Sequence, residues 1–162
     1  MENEIVLKRE LKILAAADDA RTKYVVNVAN SFRDKKILLF SLENSKALLQ
    51  ENYHLEDSKN ITFIDMLTTV EQIKAYLKIE KPEYLLIDCL HLLGIEEKIQ
   101  PLSDKIKYKL DTLYSYIEDY DVNILVSDYV APEEMDDKYT NNIYDKCHQV
   151  WIVKDDIITR FK

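Results

Sequence analysis

Five short apolar runs of this chain each end on acid: Asp18 and Asp19 follow Leu11–Ala17, Glu43 follows Lys36–Leu42, Asp65 follows Ile61–Ile64, Asp88 lies near the end of Tyr84–Cys89, and Asp128 follows Asn123–Ser127. Carboxylates repeated in this way are suited to three tasks. They can hold a hard cation such as Mg²⁺ through oxygen, act as general bases, or present a negative rim to Lys and Arg side chains of a partner. A second stretch has a different character. Ala15, Ala16, Ala17, Asp18, Asp19, Ala20, Arg21 and Thr22 place a guanidinium and a hydroxyl behind two acids, at the point where an apolar run passes into a helical pattern.

The elements that would position these residues follow from the spacing of apolar residues. Runs rich in Ile, Leu and Val alternate with stretches of helical period: Thr22–Phe32 with Tyr24, Val25, Val28 and Phe32 on one side, and a short helix that Asn44 could cap, carrying Ala47 and Leu48 inward. Thr68 with Glu71 offers a capping box to a helix burying Ile73, Tyr76 and Leu77. The longest helix runs from Ser103, its expected cap, to Tyr120, with Ile106, Leu110, Leu113 and Ile117 along one stripe. Gln149–Val153 is a further buried run, and Lys154, Asp155 and Asp156 are expected to turn it back into an edge strand, Ile157–Phe161. Strands that are apolar on both faces and separated by helices require crossover connections. The expected fold is therefore α/β: a doubly wound, three-layer domain with a mainly parallel sheet, formed by residues 1–162 as one unit. Ligands of such sheets bind beyond the carboxyl ends of the strands, where the acids fall.

Composition narrows the function. Hydrophobic residues at 47% and charged residues at 32% describe a globular chain, and no apolar run resembles a secretory signal or a membrane span, so a cytoplasmic location is expected. The net charge of −8 disfavours nucleic acid as a partner, and the basic residues Lys8, Arg9, Lys12, Arg33, Lys35 and Lys36 are interleaved with Glu10 and Asp34. Cys89 with His91, and Cys147 with His148, have zinc-ligand chemistry but fall at opposite ends of their strands, too far apart for one metal. His54 reads as a loop residue. The single glycine, Gly94, lies far from the Ala15–Thr22 stretch, which leaves that stretch without the residue that lets backbone N–H groups wrap a phosphate.

Several motifs in order resemble the RecA-type ATPase domain of DnaB-like replicative helicases, across about residues 9–156. The family's Phe-Ser-Leu-Glu-Met-Ser is matched by Phe40-Ser-Leu-Glu-Asn-Ser45, its Tyr-Ile-Asp-Asp by Phe63-Ile-Asp-Met66, and its Ile-Asp-Tyr-Leu-Gln-Leu by Ile87-Asp-Cys-Leu-His-Leu92. Ser127-Asp-Tyr-Val130 resembles Ser-Gln-Leu-Asn, and Ile143–Val150 resembles the segment before the next strand. The resemblance implies that Glu43 stands where the family has the water-activating carboxylate, Asp88 where it has the Walker B acid, and Asp128 where it has the sensor glutamine. It also implies that Ala20, Arg21 and Thr22 replace the Gly-Lys-Thr of the phosphate-binding loop. By the same resemblance, the family's amino-terminal collar and its last, basic strand have no counterpart in the chain.

The resulting expectation is a pseudo-ATPase: a degenerate RecA-like domain without catalysis or cofactor, with Glu43, Asp88 and Asp128 vestigial and the loop residues Ala15, Asp18, Asp19, Ala20, Arg21 and Thr22 unable to bind nucleotide. It would serve as a protein-interaction or regulatory module in replication or recombination of a phage or mobile element, with Asp18, Asp19 and Asp65 facing a protein partner such as a replicative helicase or other replication protein. Two alternatives are a Mg²⁺-dependent enzyme using Glu43, Asp88 and Asp128, and a DNA-binding helicase-related subunit.

Overall fold

The computed structural model describes residues 9–16, 18–130, 143–154 and 157–160. The segments Leu11–Ala16 (β1), Ile37–Ser41 (β2), Ile61–Ile64 (β3), Tyr84–Asp88 (β4), Asn123–Tyr129 (β5), Gln149–Lys154 (β6) and Ile157–Arg160 (β7) form one sheet in the order β3-β2-β4-β5-β1-β6-β7. Every pairing is parallel except β6 with β7, which is antiparallel. The expected doubly wound architecture and edge strand are therefore present. Ala17, Asp155, Asp156 and Phe161, which belonged to the expected runs and turn, lie outside the described residues, as does Lys8 of the basic stretch.

Alternation along the strands divides the core into two layers. On one face Leu11, Ile13, Ala15, Leu85, Ile87, Ile124 and Val126 pack under Ile73–Glu80 (α3) and Leu102–Tyr120 (α4). On the other, Leu14, Ala16, Leu86 and Leu125 pack under Ala20–Ser31 (α1) and Lys46–Tyr53 (α2). The stripe Ile106, Leu110, Leu113 and Ile117 is buried as its period requires, and each such side chain contributes about 1.5–3 kcal/mol by leaving water.

Helix starts differ from expectation. Ser45 rather than Asn44 caps α2, its Oγ accepting from the Leu48 N–H at 3.4 Å, and Leu49 is the inward residue while Ala47 and Leu48 are exposed. Moving the cap by one residue rotates the helix by about 100°, which is enough to exchange the buried position. The capping box before α3 is Thr69 with Gln72, one residue later than Thr68 with Glu71: Thr69 N–H donates to Gln72 Oε1 and Gln72 N–H to Thr69 Oγ1. Glu71 instead accepts from the Glu96 N–H at 3.2 Å. Helix α4 begins at Leu102, behind Pro101, so Ser103 lies inside it and does not cap it.

The single glycine fastens two loops at the carboxyl edge. Gly94 N–H donates to Thr68 O and Val70 N–H to Gly94 O, both at 2.9 Å, and a Cβ on Gly94 would come within 3.2 Å of Thr69 Cγ2. A side chain there would require Thr69 and the Thr68 carbonyl to give way by a few tenths of an ångström. Helices α2, α3 and α4 consequently end without it, on left-handed His54, Lys81 and Asp121. His54 is thus a helix terminator more than a loop residue. A non-glycine residue in this conformation costs roughly 1–2 kcal/mol, against about 0.5–1 kcal/mol of extra chain entropy for glycine. Lys81→Gly should therefore raise stability by about 0.5 kcal/mol in chemical denaturation; a loss of about 1 kcal/mol or more would contradict the backbone account.

Candidate functional site

The carboxyl ends of β1, β2, β4 and β5 converge at the start of α1, and side-chain parity decides what meets there. In β4, Leu85 and Ile87 face α3 and α4, so Asp88 faces α1. In β5, Ile124 and Val126 face α3 and α4, which sends Ser127 toward α1 and Asp128 away from it. Asp88 accordingly accepts from Thr22 Oγ1 at 2.8 Å and from Ser127 Oγ at 2.5 Å, so both its oxygens are engaged. Strand β2 completes the junction, since Leu42 N–H donates to Asp88 O at 2.6 Å and Glu43 follows directly.

Arg21 is the cation of this junction. Its side chain is only 7% exposed. One guanidinium nitrogen donates to Asp18 O, the other to Glu43 Oε2 at 2.5 Å, and the guanidinium carbon lies 5.7 Å from the Tyr129 ring centre. Its buried Nε has no acceptor among the described residues. Asp18 closes the loop further, as its Oδ1 accepts from the Ala20 N–H at 3.0 Å. Thus a carboxylate of the chain covers an amide at the start of α1, where helix polarity favours anions. Ala15 and Ala16 are buried in β1. The left-handed residues among those described are His54, Lys81 and Asp121, so none belongs to this loop.

The remaining acids separate from one another. Asp19, exposed, accepts from Tyr53 OH at 3.2 Å, and Asp65 is exposed beyond β3 at the sheet edge. Asp128 does not belong to an exposed rim: it is fully buried, accepting from Tyr144 OH at 2.8 Å and lying 3.1 Å from His91 Nδ1. With an ionised carboxylate this contact places a proton on that ring nitrogen. Lys109 secures the same region by donating from Nζ to Leu90 O at 3.0 Å and His91 O at 3.3 Å, and burial lowers its pKa. Glu43, Asp88 and Asp128 therefore do not converge as metal ligands, because Asp88 and Asp128 face opposite sides of the sheet; among the described residues no group of three or more His, Cys, Asp and Glu could hold a metal ion. Cys89 and Cys147 are buried thiols at opposite ends of the parallel strands. Among the described residues of the basic stretches, Arg9 pairs with Asp121, Lys12 with Glu10, Arg33 with Glu56, Lys35 with Glu83 and Lys36 with Glu80.

Ser127 and Tyr129 complete the junction at α1, and Tyr144 and Lys109 the network around Asp128, without having stood out as site residues in the sequence; His91 stood out only as a zinc-ligand candidate. Period 2 in β5 was the available signal for the first two; the reach of Tyr144 and Lys109 depends on tertiary packing.

No protein-family profile matches the chain, and no curated protein matches it by sequence. Solved structures match by shape. One, described as an ATPase domain, superposes with a TM-score of 0.72 at 15% identity, over 91% of this chain and 70% of that one. A DnaB-like replicative helicase, described with its interactions with primase, also superposes at 0.72 and 15% identity, over 93% of this chain and 50% of its own length. The chain thus has the fold of the RecA-type ATPase domain of DnaB-like helicases. No helix among the described residues is long and apolar enough to cross a membrane.

Asp88 supplies a test of this geometry. Burial raises its pKa above the usual carboxylate value, and the nearby charge of Glu43 adds to the rise, against the hydrogen bonds of Ser127 and Thr22 and the charge of Arg21. A raised folded pKa means that the group's stabilising effect is full below the unfolded value of about 4 and is lost as pH rises through the folded value. The melting temperature of Asp88→Asn minus that of the wild type should therefore increase between about pH 4 and pH 7. A difference that is flat, or that falls with pH, would contradict the burial argument.

Proposed function

We propose that this chain is a RecA-type domain that works without nucleotide, as a protein-binding or regulatory module of a replication or recombination assembly belonging to a phage or mobile element. The observation that carries the first half is the loop before α1, where Arg21 is tied to Asp18 O and to the Glu43 carboxylate while Asp18 Oδ1 covers the Ala20 amide. A triphosphate would have to displace two carboxylates from the cation and amide it needs. Asp18 and Asp19 are exposed, so water and salt weaken their repulsion of phosphate; occupation of the donors is the stronger obstacle. Thr22 Oγ1 donates directly to Asp88 Oδ2, which ties the first turn of α1 to the end of β4.

Support for the second half is the fold likeness to a DnaB-like replicative helicase that interacts with primase, together with the exposed acids Asp18, Asp19 and Asp65 at the carboxyl edge. Such an edge favours a partner presenting Lys or Arg, because opposite potentials speed encounter and select partners. Titration calorimetry with Mg²⁺-ATP should give no binding tighter than about 1 mM, and a phosphate-release assay should give no turnover. Micromolar binding or measurable hydrolysis abolished by Arg21→Ala would overturn the reading.

A further inference from the structure

We infer that two loops at the carboxyl edge of the sheet, residues 65–70 and 91–97, form one docking surface, on which Met66, Leu67 and Leu92 seat the apolar side chains of a partner segment bordered by Lys or Arg. The inference rests on the reading of the domain as a protein-binding module and gives its partner a place and a chemistry.

Single exposed apolar side chains are ordinary on a protein surface, whereas several on neighbouring loops need a reason. Met66, Leu67 and Leu92 are 59%, 82% and 45% exposed. A parallel bridge between Thr69 and Gly94 joins their loops, through the bonds of Gly94 with Thr68 O and the Val70 N–H. Leu67 and Leu92 each stand two residues before that bridge, and side chains two apart along extended chain share a face. Burial follows the same alternation, with Thr68, Val70 and Leu93 inside and Leu67 and Leu92 outside. Tyr76 OH lies 3.9 Å from Met66 Sδ, which sets the third apolar residue against α3.

The surface is fixed in advance. Thr69 and Gln72 cap α3, Tyr116 OH of α4 donates to Val70 O at 3.0 Å, and Glu71 accepts from the Glu96 N–H. Lys109 Nζ ties the second loop to α4 through Leu90 O and His91 O. Loops that are ordered before binding lose little entropy on binding, so the apolar area they expose converts into affinity.

Charge selects the occupant. Residues 65–71 and 91–97 hold Asp65, Glu71, Glu96 and Glu97 and no Lys or Arg. No ion pair among the described residues uses Asp65, Glu96 or Glu97. These acids repel nucleic acid, anionic lipid and a second copy of the same surface, and they attract Lys and Arg. An amphipathic helix with Leu-type side chains on one stripe and Lys or Arg beside it matches both features.

The test is titration calorimetry with a synthetic amphipathic peptide of about 18 Leu and Lys residues, and a Leu and Glu peptide of the same pattern as control. Wild type should bind the Lys peptide saturably and the Glu peptide not at all, with an affinity that falls as salt is raised. Leu67→Ser/Leu92→Ser should melt within about 2 °C of wild type, because both residues are exposed, and should bind the Lys peptide about tenfold or more weakly. If that variant melts lower, Met66→Gln carries the test with the same expected direction. Glu96→Gln/Glu97→Gln should flatten the salt dependence. The inference is overturned by no saturable binding of the Lys peptide, by equal binding of the two peptides, or by unchanged affinity in the leucine variant. Oligothymidylate binding or self-association that the leucine variant abolishes also overturns it, since the occupant would then be nucleic acid or a second copy. Peptide binding lost instead in Asp18→Lys/Asp19→Lys overturns this surface but leaves the protein-binding reading standing, whereas micromolar Mg²⁺-ATP binding by the wild type overturns that reading by itself.

Discussion

A guanidinium buried at the start of a helix has to be neutralised, and the ends of three strands are arranged around that requirement. Arg21 enters from α1, Glu43 reaches it from the end of β2, and Tyr129 presents its ring from β5. The adjoining Thr22 fastens the same helical turn to Asp88 of β4, which Ser127 of β5 holds from the other side. Backbone and side chain of this junction thus act as one unit: the turn of α1 cannot move without leaving either a charge or a hydroxyl pair unpaired in a buried setting, each a cost of about one to several kcal/mol. At the start of α1 two carboxylates of the chain take up donors, Glu43 on the Arg21 guanidinium and Asp18 on the Ala20 amide.

Parity of the strands explains why acids that lie close together along the sheet edge do not form one cluster. Asp88 and Asp128 are on neighbouring regions of β4 and β5, yet one faces α1 and the other faces α4. The consequence is two separate networks, Asp88 with Thr22 and Ser127 on one face, and Asp128 with His91 and Tyr144 on the other. Lys109 steadies the second network through the turn at Leu90–Leu92. Neither arrangement converges on a metal position.

Much of the fold was legible in the chain because apolar runs and helical stripes are local signals. Ile106, Leu110, Leu113 and Ile117 indicate a face at once, and the runs Leu11–Ala17 and Tyr84–Cys89 read as buried strands, which the structure forms as Leu11–Ala16 and Tyr84–Asp88. Helix starts were less legible, since Asn44 and Ser45, or Thr68 and Thr69, are equally able to cap and the choice depends on how the preceding strand delivers the chain. For the site, the acids at strand ends and the altered loop were visible, including the absence of glycine between Ala15 and Thr22. The exposure of each acid was not. Asp128 follows an apolar run and reads as a rim residue, but β5 continues to Tyr129, so Asp128 remains within the sheet and its partner Tyr144 comes from a distant segment. The pairing of Arg21 with Glu43 likewise depends on the adjacency of α1 and β2 ends, which topology alone creates.

The closed junction at Arg21 is the centre of this account, and nuclear magnetic resonance of its side chain tests it most directly. With the guanidinium held by Asp18 O and Glu43, the terminal nitrogens of Arg21 should give separate, slowly exchanging signals, and neither these nor the amide signals of Ala20, Arg21 and Thr22 should move when Mg²⁺-ATP is added at about 0.1 mM. Averaged guanidinium signals in the free protein, or a saturable shift of those amides on adding nucleotide, would contradict it.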